Sequence, residues 1–73
     1  MIEKRSVTLS GHRTSLSLED DFWQELQRIA KTRHCSLAAL IGKIDAERLK
    51  EKKPPNLSSA LRVFVLRTVK GGR

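Results

Sequence analysis

Residues 12–18, His-Arg-Thr-Ser-Leu-Ser-Leu, alternate between polar and apolar side chains. This period of two is typical of a half-buried β-strand. The buried side of the strand would carry Thr14, Leu16 and Leu18. The exposed side would carry Arg13, Ser15 and Ser17. Residues 5–9 alternate more loosely, and Ser10-Gly11 separates them from the strand, so we expect residues 1–11 to form an N-terminal arm or an extra strand.

The pattern changes to a helical period directly after the strand. Apolar residues recur every three or four positions between Phe22 and Ala30, which predicts an amphipathic helix over residues 20–33. Glu19 is the expected N-cap, and Asp20 and Asp21 suit the positive end of the helix dipole. His34 and Cys35 would then form a short turn.

Two further helices are predicted after this turn. Ser36 is the expected N-cap of the second helix, which Lys53-Pro54-Pro55 must end because the residue before a proline avoids the helical region. Its apolar positions are Leu37, Leu40, Ile41, Ile44 and Leu49. Asn56 would cap a third helix over 57–70, although Val63, Phe64 and Val65 are also typical of a strand. We therefore divide the chain into an arm (1–11), a core (12–52) and a C-terminal helix with a basic tail (53–73).

The strand at 12–18 needs a partner for its backbone N–H and C=O groups. Residues 5–9 could pair with it as a hairpin, or an identical strand from a second chain could pair with it about a two-fold axis. We favour the second arrangement, because a chain of 73 residues has little material for a core of its own. The expected core of this dimer comprises Leu16, Leu18, Phe22, Trp23, Leu26, Ile29, Leu40, Ile41 and Ile44.

Composition excludes several other ways of stabilising so short a chain. One cysteine, Cys35, cannot form an internal disulfide, and we expect it to be a small buried residue. His12, His34 and Cys35 lack zinc-ligand spacing, so we expect no metal and no cofactor. No apolar run approaches the roughly 18 residues of a transmembrane helix. No activated nucleophile or phosphate-binding glycine loop is evident, and we do not expect an enzyme.

The positive charge is concentrated in two stretches that contain no acidic residue. Lys and Arg number 15 against 8 Asp and Glu, which gives a net charge of +7. Residues 4–18 and 52–73 contain basic residues but no acidic ones. This distribution favours a polyanionic partner, most simply nucleic acid. A solvated basic surface and an anionic membrane are the alternatives, which charge alone does not separate.

The order of strand, acidic helix start, short turn and serine-capped helix resembles the ribbon–helix–helix DNA-binding family of the MetJ and Arc type. The resemblance rests on Arg13-Thr-Ser-Leu-Ser-Leu-Glu-Asp-Asp-Phe-Trp-Gln-Glu-Leu26, Ile29-Ala30 and Cys35-Ser-Leu-Ala-Ala-Leu-Ile41. The chain is most similar to a bacterial subgroup that has an added N-terminal segment and a C-terminal Asn-Leu-Ser-Ser-Ala-Leu-Arg stretch. One position departs from the family, because His34 stands where a glycine is frequent.

The resemblance implies an α+β, mostly helical homodimer with an intermolecular two-stranded antiparallel ribbon and an added C-terminal helix. In this family the outward positions of the ribbon meet base edges in the major groove. Arg13, Ser15 and Ser17 occupy those positions here, and guanidinium and hydroxyl groups are suited to base edges. The expected contacts to DNA phosphates are Lys4, Arg5, His12, Ser36 and Leu37.

Three functions follow from these observations. The first is a homodimeric, sequence-specific transcriptional regulator, a repressor, in the cytoplasm and on the nucleoid when bound to double-stranded DNA. The second is an antitoxin of the same fold. The third is a dimeric protein-interaction adaptor that does not bind DNA. A second protein could bind through the apolar stripe Leu57, Leu61, Phe64 and Val65.

Overall fold

The computed structural model describes residues 2–71. Two strands are followed by three helices: β1 (Ile2–Leu9), β2 (His12–Glu19), α1 (Asp20–Thr32), α2 (Leu37–Arg48) and α3 (Leu57–Gly71). The predicted order of strand, helix, helix and C-terminal helix is confirmed, with element ends within a few residues of those expected. Residues 72 and 73 of the predicted basic tail, and Met1 of the predicted arm, lie outside the described residues.

Within one chain, β2 pairs with the N-terminal segment, which is one of the two pairings that the sequence left open. β1 pairs with β2 of the same chain in an antiparallel sheet of two strands, and the register runs from Ile2 opposite Glu19 to Leu9 opposite His12. This hairpin uses one edge of β2, and the predicted pairing of β2 with β2 of a second chain stays a prediction. The N-terminal segment is an extra strand, the second of the two forms that its sequence allowed.

A two-residue turn makes the hairpin possible. Ser10 has φ 52° and Gly11 has φ 80°, so both central residues lie in the left-handed region that a type I′ turn requires. The twist of this turn matches the twist of the two strands, which a type I or II turn would splay. Ser10-Gly11 is thus the connection between two paired strands, in the hairpin that the sequence offered as one of two pairings.

The helix ends explain how the chain turns back on itself after the hairpin. At the end of α1, His34 has φ 57°, and the N–H groups of His34 and Cys35 donate to the carbonyls of Lys31 and Ala30 at 3.1 and 3.0 Å. This is a Schellman motif, in which a left-handed residue ends the helix. His34 therefore adopts the left-handed backbone conformation for which glycine is frequent at this position in the family. The same turn leaves Cys35 exposed, so the prediction that it is buried is wrong.

Side-chain caps start the last two helices but not the first. Ser36 Oγ accepts from the N–H of Ala39 at 3.0 Å, and Asn56 Oδ1 accepts from the N–H of Ser59 at 2.8 Å. Both caps are as predicted. Glu19 makes no capping hydrogen bond, and its carboxylate instead accepts from Arg62 Nε at 2.8 Å. That ion pair joins the end of the ribbon to α3, 43 residues later in the chain.

One chain builds the hydrophobic core. Seven of the nine predicted core residues are buried, and Phe22 and Trp23 are half-buried against them. β1 adds Leu9, and α3 adds Leu57, Leu61 and Val65. The expectation that a single chain lacks a core failed because it left out these two elements. Leu49, predicted to lie on the apolar face of α2, is 57% exposed at the helix end.

The inward orientation of α3 also removes the surface suggested for a second protein. Leu57, Leu61 and Val65 are buried within the chain, and Phe64 is partly buried beneath Arg33, whose guanidinium lies 5.3 Å from the ring centre. The exposed apolar residues of this helix are Val63, Leu66 and Val69 instead. The stripe Leu57, Leu61, Phe64 and Val65 belongs to the core, so it is not a free docking surface.

The burial of α3 predicts a contrast between two leucines on the same helix. Leu61 is fully buried and Leu66 is 55% exposed. Leu61→Ala should lower the free energy of unfolding by about 2–5 kcal/mol, because it leaves a cavity in the core. Leu66→Ala makes the same chemical change at an exposed position and should cost less than about 0.5 kcal/mol. Urea unfolding followed by circular dichroism measures both, and equal losses would show that α3 does not pack as described.

The ion pair between Glu19 and Arg62 predicts a dependence of stability on pH. The hydrogen bond from Arg62 holds the pKa of Glu19 below its usual value of 4.5. A lowered pKa in the folded state stabilises the protein fully above the unfolded value, and this contribution is lost as the pH falls through the folded pKa. Glu19→Gln should therefore reduce stability at neutral pH, and the difference from the parent should shrink in acid, as the pH falls through the lowered pKa of Glu19.

Glu51→Gln is the matched control for this measurement, because Glu51 has no ion-pair partner among residues 2–71. It should leave the unfolding midpoint nearly unchanged at both pH values. A Glu19→Gln variant whose deficit persists unchanged in acid would contradict the role given to this ion pair.

Candidate nucleic-acid interface

The two strands of the hairpin divide their side chains between two faces. One face packs on the helices through Val7, Leu9, Leu16 and Leu18, and Thr14 is half-buried on the same face. The opposite face has four cross-strand pairs. Ile2 lies opposite Glu19 in the pair farthest from the turn, and the other three pairs form what we call the outer face. In these pairs Lys4 lies opposite Ser17, Ser6 opposite Ser15, and Thr8 opposite Arg13. The outer face therefore carries two basic side chains, Lys4 and Arg13, and four hydroxyl groups. They lie on three adjacent cross-strand pairs, or rungs.

Every side chain of the outer face is exposed. Among residues 2–71, none of the six takes part in a side-chain hydrogen bond or an ion pair with the rest of the chain. The donors and acceptors of this face are thus available to a ligand without breaking an internal contact. No carboxylate stands in the three rungs, and the nearest one along β2, Glu19, is held by Arg62.

The structure brings the three predicted base-contacting residues together. Arg13, Ser15 and Ser17 alternate along β2 and share the outer face with Lys4, one of the predicted phosphate contacts. His12 is exposed at the start of β2 beside the turn, but it lies opposite Leu9 and shares the strand parity of Leu16, so it is not part of the outer face. The contacts of all these residues with DNA remain a prediction.

Arg5 lies on the other face of the hairpin, against the helices. Its Nη2 donates to Asp20 Oδ1 at 2.9 Å, and its Cζ lies 4.6 Å from the centre of the Trp23 ring. A second carboxylate, that of Glu3, lies 3.4 Å from the same nitrogen. The side chain is 25% exposed, and its Nε is buried without a partner in the described part of the chain. Side chains alternate between the two faces of a strand, and Arg5 lies on the face that packs against the helices. The prediction that Arg5 contacts phosphate is therefore not retained.

Ser36 and Leu37 lie at the start of α2, on a different element from the outer face. Ser36 is exposed and Leu37 is half-buried, and no side-chain hydrogen bond in residues 2–71 joins either of them to the hairpin. The Ser36 cap satisfies the N–H of Ala39, which leaves the first N–H groups of the helix for water or an anion. A phosphate contact at this point remains a prediction.

Ser6 and Thr8 are the members of the outer face that the sequence analysis missed. A signal for them was present, since a two-residue loop between Leu9 and His12 fixes the register of both strands. That register places Thr8 beside Arg13 and Ser6 beside Ser15. Neither a metal cluster of three or more His, Cys, Asp or Glu nor a helix that could cross a bilayer occurs within residues 2–71.

The two faces of β1 predict opposite behaviour for neighbouring basic residues. Arg5→Ala should lower the free energy of unfolding by about 1 kcal/mol, because it removes a partly buried ion pair and a cation–π contact. Lys4→Ala should change it by less than about 0.5 kcal/mol, because Lys4 is exposed on the outer face. Thermal unfolding of both variants gives the comparison. Equal stability losses would contradict the assignment of the two residues to different faces.

Comparison with known proteins agrees with this architecture. No curated protein and no solved structure matches the chain. The sequence model of the ribbon–helix–helix domain matches residues 2–69, nearly the whole chain, and its span includes both strands of the hairpin and most of α3. The match thus extends well beyond the strand and two helices on which the resemblance was based. On this evidence the chain belongs to the ribbon–helix–helix domain family.

Proposed function

We propose that this protein is a sequence-specific DNA-binding regulator of transcription, a repressor, that acts as a homodimer in the cytoplasm and on the nucleoid. The outer face of the hairpin is the observation that supports this proposal. It is exposed, carries positive charge without a carboxylate, and belongs to a two-stranded ribbon, the element that a major groove of about 12 Å admits. We propose no enzymatic reaction and no cofactor.

Arg13 has the leading role in this proposal. Its guanidinium can donate two hydrogen bonds to O6 and N7 of a guanine, whereas each serine hydroxyl makes a single contact of lower selectivity. Lys4 is a compact charge at the far end of the same face, suited to the phosphates that flank the groove. Arg13, Ser15 and Ser17 would therefore select the sequence, and Lys4, His12 and the start of α2 at Ser36 and Leu37 would hold the backbone.

Two copies would extend the site. A homodimer with a two-fold axis presents two identical hairpins, and such proteins read two half-sites related by the same symmetry. A bound dimer would repress by occupying DNA that the transcription machinery needs. The antitoxin alternative has lost the surface on which it was based, because Leu57, Leu61 and Val65 are buried in the chain itself.

The experiment that tests the proposal is a binding titration on DNA selected from a random pool of duplexes. Arg13→Ala should cost about 1–3 kcal/mol on the selected site and should reduce discrimination against a scrambled duplex. Lys4→Ala should weaken binding to both duplexes alike and should make the dependence on salt shallower. Both results follow from the difference between base and phosphate contacts.

Arg28→Ala is the matched control, because it removes the same charge from α1, where Arg28 is paired with Glu25 at 2.7 Å. It should leave the discrimination between the two duplexes unchanged. If Arg13→Ala behaves as Arg28→Ala does, the outer face does not read DNA. If random selection enriches no duplex and binding to any DNA is absent at low salt, the proposal as a whole is wrong.

A further inference from the structure

The hairpin gives β2 a neighbouring strand on one edge only. Within residues 2–71 the sheet has two strands, so the other edge of β2 has no strand beside it. A strand edge with free N–H and C=O groups pairs readily with another strand, and the sequence predicts that β2 of a second chain pairs there about a two-fold axis. Two hairpins joined in this way would form one sheet of four strands, with the two β2 strands in the centre and a β1 strand at each side.

We propose that β1 lies along the rim of the major groove and that Ser6 and Thr8 bind DNA phosphates there, beside Lys4. The paired β2 strands occupy the groove itself with Arg13 and its neighbours on the outer face. This inference rests on the proposed DNA-binding function and on the predicted pairing of the two β2 strands. It assigns a separate task to each strand of the hairpin: β2 reads the bases, and β1 holds the backbone.

The width of the sheet supports this division between the two strands. Paired strands lie roughly 4.8 Å apart, so the two central strands fit a major groove of about 12 Å. The outer strands of a four-stranded sheet lie about 14 Å apart, which is slightly more than the width of the groove. Each β1 strand is therefore too far from the centre to enter the groove, and its outward side chains lie over the phosphates that border it.

The outward side chains of β1 suit phosphate oxygens. Ser6 and Thr8 are exposed, and neither hydroxyl has a hydrogen-bond partner within residues 2–71. A serine or threonine hydroxyl can donate to a phosphate oxygen, which is a frequent contact in protein–DNA complexes. Lys4 adds a positive charge to the same side of β1, and the three rungs contain no carboxylate that would repel a phosphate.

The register of the hairpin also predicts where the phosphate contacts fall along the DNA. Thr8 shares a rung with Arg13, and Ser6 shares the next rung with Ser15. Neighbouring rungs of one face are about 6.8 Å apart, because they are two residues apart in the strand, and this distance corresponds to about two nucleotides. The phosphate bound by Thr8 should therefore border the base pair that Arg13 contacts. The phosphate bound by Ser6 should lie about two nucleotides further along the backbone.

Binding titrations of the full-length protein test the role given to β1. Ser6→Ala and Thr8→Val are titrated against the selected duplex and against a scrambled one. Each variant should weaken binding to both duplexes alike, by about three- to tenfold, the equivalent of one hydrogen bond. The discrimination between the two duplexes should stay unchanged, because phosphates carry no sequence information.

Duplexes that carry a single neutral methylphosphonate linkage locate the phosphates concerned. The parent protein should lose affinity when the neutral linkage borders the base pair whose discrimination Arg13→Ala relaxes. The same linkage should cost Thr8→Val less than it costs the parent, because the two changes affect one contact and are therefore not additive. Ser6→Ala should show this coupling about two nucleotides away.

Thr14→Val is the matched control, since it removes the same hydroxyl from the inner face of the hairpin, where Thr14 is half-buried opposite Val7. It should leave affinity for both duplexes within about twofold of the parent, because an inner-face hydroxyl does not reach DNA. It should also show no coupling to any methylphosphonate linkage. Circular dichroism of all variants checks that the fold is intact.

The remaining outcomes separate this inference from the proposed function. If Arg13→Ala relaxes discrimination while Ser6→Ala and Thr8→Val leave all affinities unchanged, β1 does not touch DNA and the inference is wrong. If the two β1 variants relax discrimination, β1 reads bases inside the groove, which overturns the inference and leaves the proposed function standing. If Arg13→Ala has no effect on affinity or discrimination either, the proposed function itself has failed.

Discussion

The pairing of β1 with β2 is the interaction on which the rest of this structure depends. Side chains alternate between the faces of a strand, so a shift of one residue in the register would exchange the inner and outer sets. The positive φ angles of Ser10 and Gly11 fix that register by closing the hairpin with two residues. As a result the leucines of β2 pack against the helices, and the basic and hydroxyl side chains of the outer face are exposed to solvent.

The helices hold the hairpin through apolar contacts and two long-range ion pairs. Arg5 of β1 binds Asp20 at the start of α1 and lies over Trp23, while Arg62 of α3 binds Glu19 at the end of β2. α3 completes the core with Leu57, Leu61 and Val65. α3 therefore covers the apolar side of the hairpin, a role that the sequence assigned to a second subunit. A ribbon backed in this way presents its outer face on a rigid support, which suits a surface that reads DNA.

Local features of this fold could be predicted from the sequence, and long-range ones could not. Ser36 and Asn56 indicated two helix starts, and the alternation over 12–18 placed Arg13, Ser15 and Ser17 on one face, because caps and strand parity depend on neighbouring residues only. The pairing of β1 with β2 was one of two possibilities that the sequence left open, because pairing depends on the turn geometry, and a Ser-Gly turn is a weaker hairpin signal than Asn-Gly. The apolar stripe Leu57, Leu61, Phe64 and Val65 was evident from the sequence, but its packing against the rest of the same chain was not. Arg5 was predicted to contact DNA phosphate because its charge is evident from the sequence. Its contacts with Asp20 and Trp23 form only in the folded chain.

The most direct test of this account asks whether β1 and β2 of one chain stay paired when the protein is bound to DNA. A sample that mixes isotope-labelled and unlabelled protein, bound to the selected duplex, allows nuclear Overhauser effects within a chain to be separated from those between chains. The cross-strand effects between Thr8 and Arg13 and between Ser6 and Ser15 should be found within a single chain. If the bound protein shows no effects between β1 and β2 of one chain, the account is contradicted.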